Sequence, residues 1–272
     1  MRFENQDFKH IVSRDNAVFK QLKKLADNAR ERRLAGKTLL DGAHLIEAYL
    51  QAFGRPESAG LELIIIPEGK SSHEATHLMQ TLVDVKTVML PTLMFSELTP
   101  VASSTGILAL VAIPTAKPQL AIPKQINFAL MLEDIQDPGN LGSMLRTAAA
   151  AGVNVVYLSK GCTDAWSPKA LRGGQGAQFI VPMFENADLI AELKIFDGNS
   201  FATTLHGESL YAQDLSLPTV FVIGNEGAGL SDTVCKATTH QISIPMHSSV
   251  ESLNAAAAAA ICLFERTRQA IV

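Results

Sequence analysis

The sequence predicts an α/β fold, with a parallel sheet in the C-terminal half and a smaller α/β domain before it. After residue 125, short continuous apolar runs alternate with helical patterns, as expected of strands that are covered on both faces. Three prolines fall within residues 114–124, and this density resists both helix and central strand. We therefore expect domains at 1–113 and 125–272, joined by a linker at 114–124.

The first domain is predicted to contain three helices and two strands. Basic and apolar side chains recur at three- and four-residue spacing from residue 12 to residue 36, which is typical of an amphipathic helix. The other expected elements are helices at 42–53 and 74–83, with strands at 61–67 and 106–113.

The second domain is predicted as an alternation of strands and helices. The strands are expected at 128–132, 153–158, 179–181, 200–204, 219–223 and 241–244. The helices are expected from residue 140 and at 168–173, 187–193, 231–236 and 252–267. The last helix holds six consecutive alanines, and alanine is the strongest helix former.

Composition predicts a cytoplasmic protein without a membrane span. No apolar run reaches the ~18–20 residues that a spanning helix needs, and the N-terminus does not resemble a signal or transit peptide. The three cysteines, Cys162, Cys235 and Cys262, are scattered, which favours reduced thiols over a disulfide framework.

Charge is unevenly distributed along the chain. The formal net charge is −4, but residues 1–40 hold ten Lys and Arg against five Asp and Glu, so that segment carries +5 and the remainder −9. A local basic face suits phosphate binding better than the whole-chain charge suggests. A solvated helix surface is the alternative interpretation of the same residues.

Unusual polar residues follow three predicted strands, where α/β sheets bind ligands. In the first loop, Asn140 falls at a helix start, and Gly142 and Arg146 lie four residues apart on one helix face. A glycine one turn from an arginine leaves room for a phosphate beside a cation. Alternatively, Asn140 caps the helix and Arg146 pairs with an acid.

The second and third loops have equally simple alternatives. Gly224, Gly227 and Gly229 lie within six residues, in an order that differs from the dinucleotide fingerprint. Glycines of this kind allow positive φ or close ligand approach, but a plain strand-to-helix turn would also use them. In the third loop, Ser252 could serve only as a helix N-cap.

A short zinc-protease pattern competes with these loops. Residues 73–77 read H-E-x-x-H, which would place His73 and His77 on one helix face. Glu97 is the only obvious later carboxylate for a third ligand. The sequence favours a solvent-facing helix and no metal.

The three loops together resemble the SpoU (TrmH-like) family of RNA 2′-O-ribose methyltransferases, part of the SPOUT superfamily. The matching motifs are Asn140-x-Gly142-x-x-x-Arg146, Gly224-Asn225-Glu226-Gly227-x-Gly229-Leu230-Ser231, and Ile244-Pro245-Met246 followed by Glu251-Ser252-Leu253-Asn254-x-x-x-Ala258. The N-terminal part resembles the L30e-like RNA-binding domain of many members. The chain departs from the family pattern at Asn225, where a small residue is more usual, and at 247–249, where a glycine is common.

The resemblance implies a deep trefoil knot at the C-terminal end of the sheet, S-adenosylmethionine as cofactor, and a homodimer. The residues it implies for catalysis are Arg146, Asn140, Glu226, Ser252 and Asn254. Those implied for cofactor binding are Thr204, Leu205, Gly207, Ile223, Gly224, Ile244, Met246 and Leu253. The candidate RNA-binding residues are Arg14, Lys20, Lys23, Lys24, Arg30, Arg32 and Arg33.

The implied function is S-adenosylmethionine-dependent 2′-O-methylation of RNA. The L30e-like domain favours ribosomal RNA. A tRNA 2′-O-methyltransferase and a non-catalytic RNA-binding or ribosome-assembly protein are the alternatives. Arginine stays protonated at accessible pH, so Arg146 is expected to stabilise a developing alkoxide instead of acting as a base.

Overall fold

The computed structural model describes residues 8–54, 56–69, 71–99, 106–114 and 125–271, without the side chains of residues 57 and 58. Of the predicted linker at 114–124, residues 115–124 lie outside this description. The chain forms two compact units. The first comprises Met1–Ala116 and Trp166–Phe179, and the second Lys117–Ala165 and Ile180–Val272.

The first unit is built on a mixed five-stranded sheet. Its elements before residue 115 are β1 (Lys9–His10), α1 (Ala17–Asp27), α2 (Ala29–Ala35), β2 (Lys37–Asp41), α3 (Ala43–Phe53), α4 (Pro56–Ala59), β3 (Leu61–Pro67), α5 (His73–Thr81), β4 (Thr87–Leu90), α6 (Thr92–Ser96) and β5 (Leu108–Ala112). The strand order is β1-β4-β3-β5-β2, and β5 runs antiparallel to both of its neighbours. Apolar residues of α1 pack on this sheet, with Leu22, Leu39 and Ile65 fully buried.

The helix predicted over residues 12–36 is two helices that are separated at Asn28. The Asn28 backbone amide donates to Lys24 O and ends α1. Its side-chain oxygen accepts from the amides of Arg30 and Glu31 and starts α2. Asparagine competes for backbone hydrogen bonds in this way, so it favours caps over helix interiors.

The second unit is built on a six-stranded sheet. The elements after residue 125 are β6 (Phe128–Leu132), α7 (Pro138–Ala151), β7 (Val155–Leu158), α8 (Pro168–Gly174), β8 (Met183–Phe184), α9 (Leu189–Ile195), β9 (Asn199–Ser209), β10 (Thr219–Ile223), α10 (Asp232–Ala237), β11 (His240–Ser243) and α11 (Ala255–Ile271). The order is β11-β9-β10-β6-β7-β8, and every neighbouring pair is parallel. This confirms the predicted α/β fold with a parallel sheet.

The prediction of a strand at 179–181 is wrong. Ala177–Phe179 is a 3₁₀ helix, and the strand at this edge is Met183–Phe184. Gln175 and Gly176 both have positive φ, at 48° and 90°, so the chain turns sharply just before the apolar run. Periodicity alone cannot distinguish such a short apolar run from a strand.

Residues 166–179 belong to the first unit, although the predicted domain boundary assigns them to the second. Thr38 Oγ1 donates to Trp166 O over 2.6 Å, and Arg172 Nη1 lies 3.3 Å from Asp41 Oδ2. The Asp41 carboxylate is almost fully buried, so this pairing offsets the cost of burying its charge. Sequence order alone does not reveal that a segment from within the predicted second domain packs in the first unit.

Strand order determines where the site forms. From β6 the chain continues through β7 and β8 towards one edge of the sheet, whereas β9, β10 and β11 all lie on the other side of β6. The order in which strands are added therefore changes direction between β6 and β10. Their apolar side chains are fully buried and include the edge-to-face pair Phe128 and Phe221. The loops after β6 and β10 therefore open side by side at a topological switch point, where α/β sheets bind ligands.

Two expectations from composition concern the thiols and the membrane. The cysteines are free, with Cys262 buried and Cys162 and Cys235 half-buried. Burial raises the pKa of Cys262 to about 12, which keeps this thiol protonated. Within the described residues, no helix combines the length and apolar character needed to cross a membrane.

Candidate active site

Three loops at the carboxyl end of the parallel sheet meet through side-chain hydrogen bonds. Asn254 Nδ2 donates to Asn140 Oδ1 over 3.0 Å, and Asn140 Nδ2 donates to Glu226 Oε1 over 3.0 Å. The three residues come from the loop before α11, the first turn of α7 and the loop after β10. A carboxamide that accepts at one end and donates at the other has a fixed orientation. The structure thus brings together three predicted catalytic residues that are distant in sequence.

Glu226 is held as a carboxylate. Besides Asn140, the backbone amides of Gln136 and Asp137 donate to its oxygens over 3.2 and 3.3 Å. Partial burial opposes ionisation, but these hydrogen bonds outweigh it and lower the pKa of Glu226 below its ordinary value. At neutral pH, Glu226 therefore acts as an ionised acceptor that fixes Asn140, not as a proton donor.

Asn225, one of the departures from the family pattern, shapes the loop after β10. Its Nδ2 donates to Asp134 O over 2.7 Å, and its Oδ1 accepts from the amides of Gly227 and Ala228 at 2.9 Å each. One side chain thereby turns its own loop and connects it to the loop after β6. This contact holds Glu226 opposite Asn140.

The three glycines of this loop have different roles. A Cβ at Gly224 would overlap the backbone of Gly229, and Gly229 itself has a φ of +70°. These two positions require glycine because the backbone approaches closely or turns left-handed. A Cβ at Gly227 would meet only Asn225 Oδ1, at an ordinary 3.6 Å. The fold therefore leaves room for a side chain at Gly227.

The last helix starts later than predicted. Asn254, and not Ser252, caps α11, because Asn254 Oδ1 accepts from the amides of Ala256 and Ala257 over 2.9 and 3.3 Å. The same side chain uses its Nδ2 to reach Asn140. Ser252 stays outside the helix, exposed at the cleft described next.

A cleft of about 480 Å³ opens beside this hydrogen-bonded group. Its lining comes from β9, from the end of β10 and the loop after it, and from the segment between β11 and the start of α11. Of the predicted cofactor residues, those that line it are Thr204, Leu205, Ile223, Gly224, Ile244, Met246 and Leu253. The volume lies within the range of natural small-molecule sites, and the apolar walls with a few polar groups are typical of them.

Gly207 is the predicted cofactor residue that does not line the cleft. A Cβ there would come within 2.5 Å of the Gln241 and Ile242 backbone, and its carbonyl accepts from Ser243 Oγ over 2.8 Å. Gly207 therefore supports the packing of β9 against β11. Its contact with the cofactor stays a prediction.

Sequence reasoning missed several lining residues, among them Thr203, His206 and Glu251. Between β9 and β11 the register jumps, since Gln241 pairs with Ala202 but Ile242 pairs with Glu208. The intervening residues of β9 therefore bulge towards the cleft. Such a jump leaves no signal in hydrophobic periodicity.

Arg146 lies outside the cleft. It is exposed on α7, and the described residues offer its guanidinium no hydrogen-bond or ion-pair partner. Within these residues, Arg146 therefore does not pair with an acid of its own chain, which was the alternative interpretation. The structure leaves this cation available to another molecule.

Six of the seven predicted RNA-binding cations divide into two sets. Arg14 pairs with Glu97 over 2.6 Å, Lys20 with Asp15 over 2.8 Å, and Lys23 with Asp27 over 3.0 Å. The exposed cations Lys24, Arg30 and Arg33 have no ion-pair partner among the described residues. Of these six cations, the second set presents charge that no acid among the described residues compensates.

Arg32 corrects the predicted RNA-binding set. It is only 4% exposed, and its Nη1 donates to Leu25 O over 2.6 Å and to Ala26 O over 3.1 Å. These bonds satisfy the carbonyls at the end of α1. Since the guanidinium is buried, it is not available to a phosphate.

The H-E-x-x-H segment forms the start of α5. Ser72 caps this helix by accepting from the Ala75 amide over 3.1 Å, and Glu97, the proposed third ligand, is engaged by Arg14. Throughout the ranges the structure covers, no three His, Cys, Asp or Glu side chains form a group that could hold a metal. The segment therefore begins α5 as a helix with a serine N-cap.

The parallel sheet with a cleft at its carboxyl edge defines an α/β protein that binds a small cofactor among strand-ending loops. The SpoU rRNA Methylase family matches residues 127–264. The chain belongs to this family, as the three loop motifs indicated.

Similarity to known proteins extends over both units. The chain is 34% identical over 267 residues to an uncharacterized tRNA/rRNA methyltransferase of Synechocystis, covering 97% of this chain and 95% of the relative. It is 32% identical to the 23S rRNA (guanosine(2553)-2′-O)-methyltransferase RlmP of Bacillus subtilis, covering 94% and 98%. The crystal structure of the SpoU methyltransferase AviRb from Streptomyces viridochromogenes with AdoMet is 28% identical, with a TM-score of 0.77 and coverage of 94% and 99%.

Proposed function

We propose that this protein transfers the methyl group of S-adenosylmethionine to a ribose 2′-hydroxyl of ribosomal RNA. The observation that carries the proposal is the hydrogen-bonded group of Asn254, Asn140 and Glu226 at the rim of the cleft. Membership of the SpoU family and the activity named for the Bacillus subtilis relative support it. That relative acts on bacterial 23S rRNA, which supports a cytoplasmic location.

The cleft fits the methyl donor. The close approach of Gly224 to Gly229 gives a smooth backbone wall, and Leu205, Ile244 and Met246 add apolar surface suited to an adenosyl group. When bound, the donor supplies a methyl group on a positively charged sulfur. The AdoMet complex of the Streptomyces viridochromogenes relative supports this assignment.

The protein's own groups orient the acceptor. Methyl transfer is an in-line displacement, so the 2′-oxygen must be held against the donor carbon in one direction. Asn140 is locked by Glu226 and Asn254 and provides a fixed polar edge for the ribose, while Ser252 offers a hydroxyl at the cleft. Glu226 acts through Asn140 as a positioning residue. Arg146 supplies the positive charge that stabilises the oxygen as its proton leaves for solvent.

The site is completed by a second copy of the chain. Arg146 neither lines the cleft nor pairs within its own chain's described residues. It lies on α7, which packs on α11, and α11 presents Phe264 and Ile271 outwards, 48% and 80% exposed, at helical spacing. A second copy that packs on this helix face would remove both side chains from water. In the homodimer, the partner subunit's Arg146 reaches the first chain's acceptor site.

The chain path supports the knot that the family resemblance implies. β11 is an edge strand, separated from β6 by β9 and β10. Nevertheless, Asn254 bonds to Asn140 in the first turn of α7, the helix that follows β6, so residues 244–254 pass over the carboxyl ends of the intervening strands. Threading of this segment through the loop after β10 gives the deep trefoil knot.

The first unit serves as the RNA-binding region, with residues 1–113 as its principal part. The free cations Lys24, Arg30 and Arg33 provide phosphate contacts, and Arg14, Lys20 and Lys23 reinforce them once their acids are displaced. Contacts to the phosphate backbone position RNA without selecting a base.

Methylation with tritiated S-adenosylmethionine tests the function. Unmodified ribosomal RNA and tRNA are incubated in parallel, and the labelled nucleosides are identified after digestion. The expected result is label in rRNA as 2′-O-methyl nucleosides, whose neighbouring phosphodiester resists alkali. Preferential label in tRNA would favour the tRNA alternative, and RNA binding without transfer would favour the non-catalytic one.

Mixed dimers test the shared site. Arg146→Ala and Asn140→Ala chains with different tags are co-expressed, and the heterodimer is purified through both tags. If Arg146 acts across the dimer, one of the two sites regains both residues and the heterodimer has about half of wild-type activity. If Arg146 acts within its own chain, both sites stay defective and no activity returns.

A further inference from the structure

The cleft has an unusual balance of charge. Among the described residues that line it, the titratable side chains are His206, Glu226 and Glu251, and none is Lys or Arg. Because two carboxylates outnumber the one imidazole, the lining is anionic. A cleft of this sign favours a cationic ligand and disfavours a phosphate-bearing one.

The two carboxylates are in different states. Glu226 accepts from Asn140 and from two backbone amides, so its oxygens are already committed to the loops. Glu251 is exposed at the cleft, and the structure gives it no hydrogen-bond or ion-pair partner among the described residues. Glu251 is thus the carboxylate that remains free to bind a ligand.

We infer that Glu251 binds the α-ammonium group of the methyl donor. The inference rests on the proposed function, in which S-adenosylmethionine occupies this cleft. The donor carries two cationic groups, the ammonium and the sulfonium, and a carboxylate of its own. An ammonium with three N–H donors makes strong charge-assisted hydrogen bonds to a free carboxylate.

Reaction chemistry favours the ammonium over the sulfonium. Methyl transfer converts the positive sulfonium into a neutral thioether, so an anion at the sulfur would stabilise the reactant more than the transition state. The ammonium keeps its charge throughout, and an anion there adds binding without opposing the reaction. Glu251 therefore holds the amino-acid end of the donor and of its demethylated product alike.

Three ligands separate these possibilities by calorimetry on the full chain. S-adenosylmethionine has both cations, S-adenosylhomocysteine has only the ammonium, and 5′-methylthioadenosine has neither. Glu251→Gln keeps the shape of the side chain and removes its charge. Asp197→Asn is the matched control. Asp197 is exposed just before β9 begins, and the cleft lies at the other end of the strands. The melting temperature of each variant confirms folding.

The inference predicts that Glu251→Gln weakens S-adenosylmethionine and S-adenosylhomocysteine equally, by about tenfold or ~1.4 kcal/mol, and leaves 5′-methylthioadenosine unchanged. Asp197→Asn should leave all three affinities at wild-type values. Wild-type affinity of Glu251→Gln for all three ligands would overturn the inference. Loss confined to S-adenosylmethionine would assign Glu251 to the sulfonium, and equal loss for all three would reduce it to shaping the cleft.

A failure of the proposed function would give a different result from a failure of the inference about Glu251. In that case the wild-type protein would bind neither S-adenosylmethionine nor S-adenosylhomocysteine, and the inference about Glu251 would fall with it. Binding of both by the wild-type chain, with no effect of Glu251→Gln, leaves the function intact and removes only the inference.

Discussion

Polar side chains cluster in two regions of this chain, and they are held in different ways. At the carboxyl edge of the parallel sheet, Asn140, Glu226 and Asn254 bond to one another and to backbone groups. On α1 and α2, the exposed charged side chains either form surface ion pairs or have no ion-pair partner among the described residues. The first arrangement fixes direction and suits catalysis, whereas the second provides charge that salt can screen. The regions should therefore respond differently to substitution and to ionic strength.

The largest effect is expected at Arg146, which has no partner among the described residues and lies on α7, the helix that begins in the first region. Arg146→Ala should lower the rate of methyl transfer by about 10²–10³-fold, since one electrostatic contact to a developing oxyanion is lost. Arg146→Lys should also be poor, because a point charge does not reproduce the planar guanidinium. Single-turnover kinetics measure both. The donor affinity should stay at its wild-type value because Arg146 lies outside the cleft, and undiminished transfer by Arg146→Ala would refute its role.

Two glycines of the same loop sharpen the comparison within the first region. Gly224→Ala should destabilise the protein by about 1–3 kcal/mol, since the added methyl group overlaps the backbone of Gly229. Gly227→Ala, where the space is open, is the matched control and should change stability little. Thermal unfolding without donor measures both. Equal stability of the two variants would show that the close approach at Gly224 is unimportant.

The second region should give smaller and salt-dependent effects. Replacing the free cations Lys24, Arg30 and Arg33 together with alanine should lower rRNA affinity and reduce the slope of log affinity against log salt by about two to three. The matched triple variant replaces the ion-paired Arg14, Lys20 and Lys23, and it should lose less, since these charges are already compensated. Filter binding over a range of salt concentrations measures both. A greater loss in the paired set would reverse the assignment.

The smallest effect concerns the protonation of Glu226. Because its folded pKa is lowered, its ionised form stabilises the fold above the ordinary carboxyl pKa, and this contribution disappears as pH falls through the lowered folded value. The difference in melting temperature between wild type and Glu226→Gln should be constant near neutrality and shrink in acid. A difference that grows as pH falls would contradict the hydrogen-bonded carboxylate.

Much of the sheet could be predicted from the sequence, because buried parallel strands are plain apolar runs. β6 and β10 coincide with the predicted strands 128–132 and 219–223. The errors fall where a polar side chain or a turn overrides periodicity. Asn28 divides one predicted helix, and the positive φ of Gln175 and Gly176 replaces a predicted strand with a 3₁₀ helix.

The site could be predicted only in part. The loop motifs identified Asn140, Glu226 and Asn254, but no local pattern states that Asn254 bonds to Asn140 across 114 residues. Glu251 belongs to the third loop motif, but the sequence assigned it no role, and its place in the cleft depends on how the chain returns across the sheet. The basic residues near Arg32 look alike in the sequence, and nothing in it shows that Arg32 is the buried one.

The central claim is that the bonded loops orient the acceptor beside a separately bound donor, and Asn140→Ala tests it most directly. Donor affinity is measured by calorimetry, and methyl transfer to rRNA under single turnover, for the variant and the wild type. We predict a donor affinity within about twofold of wild type, because Asn140 does not line the cleft, and transfer slower by about a hundredfold or more. Wild-type transfer by Asn140→Ala would contradict the account.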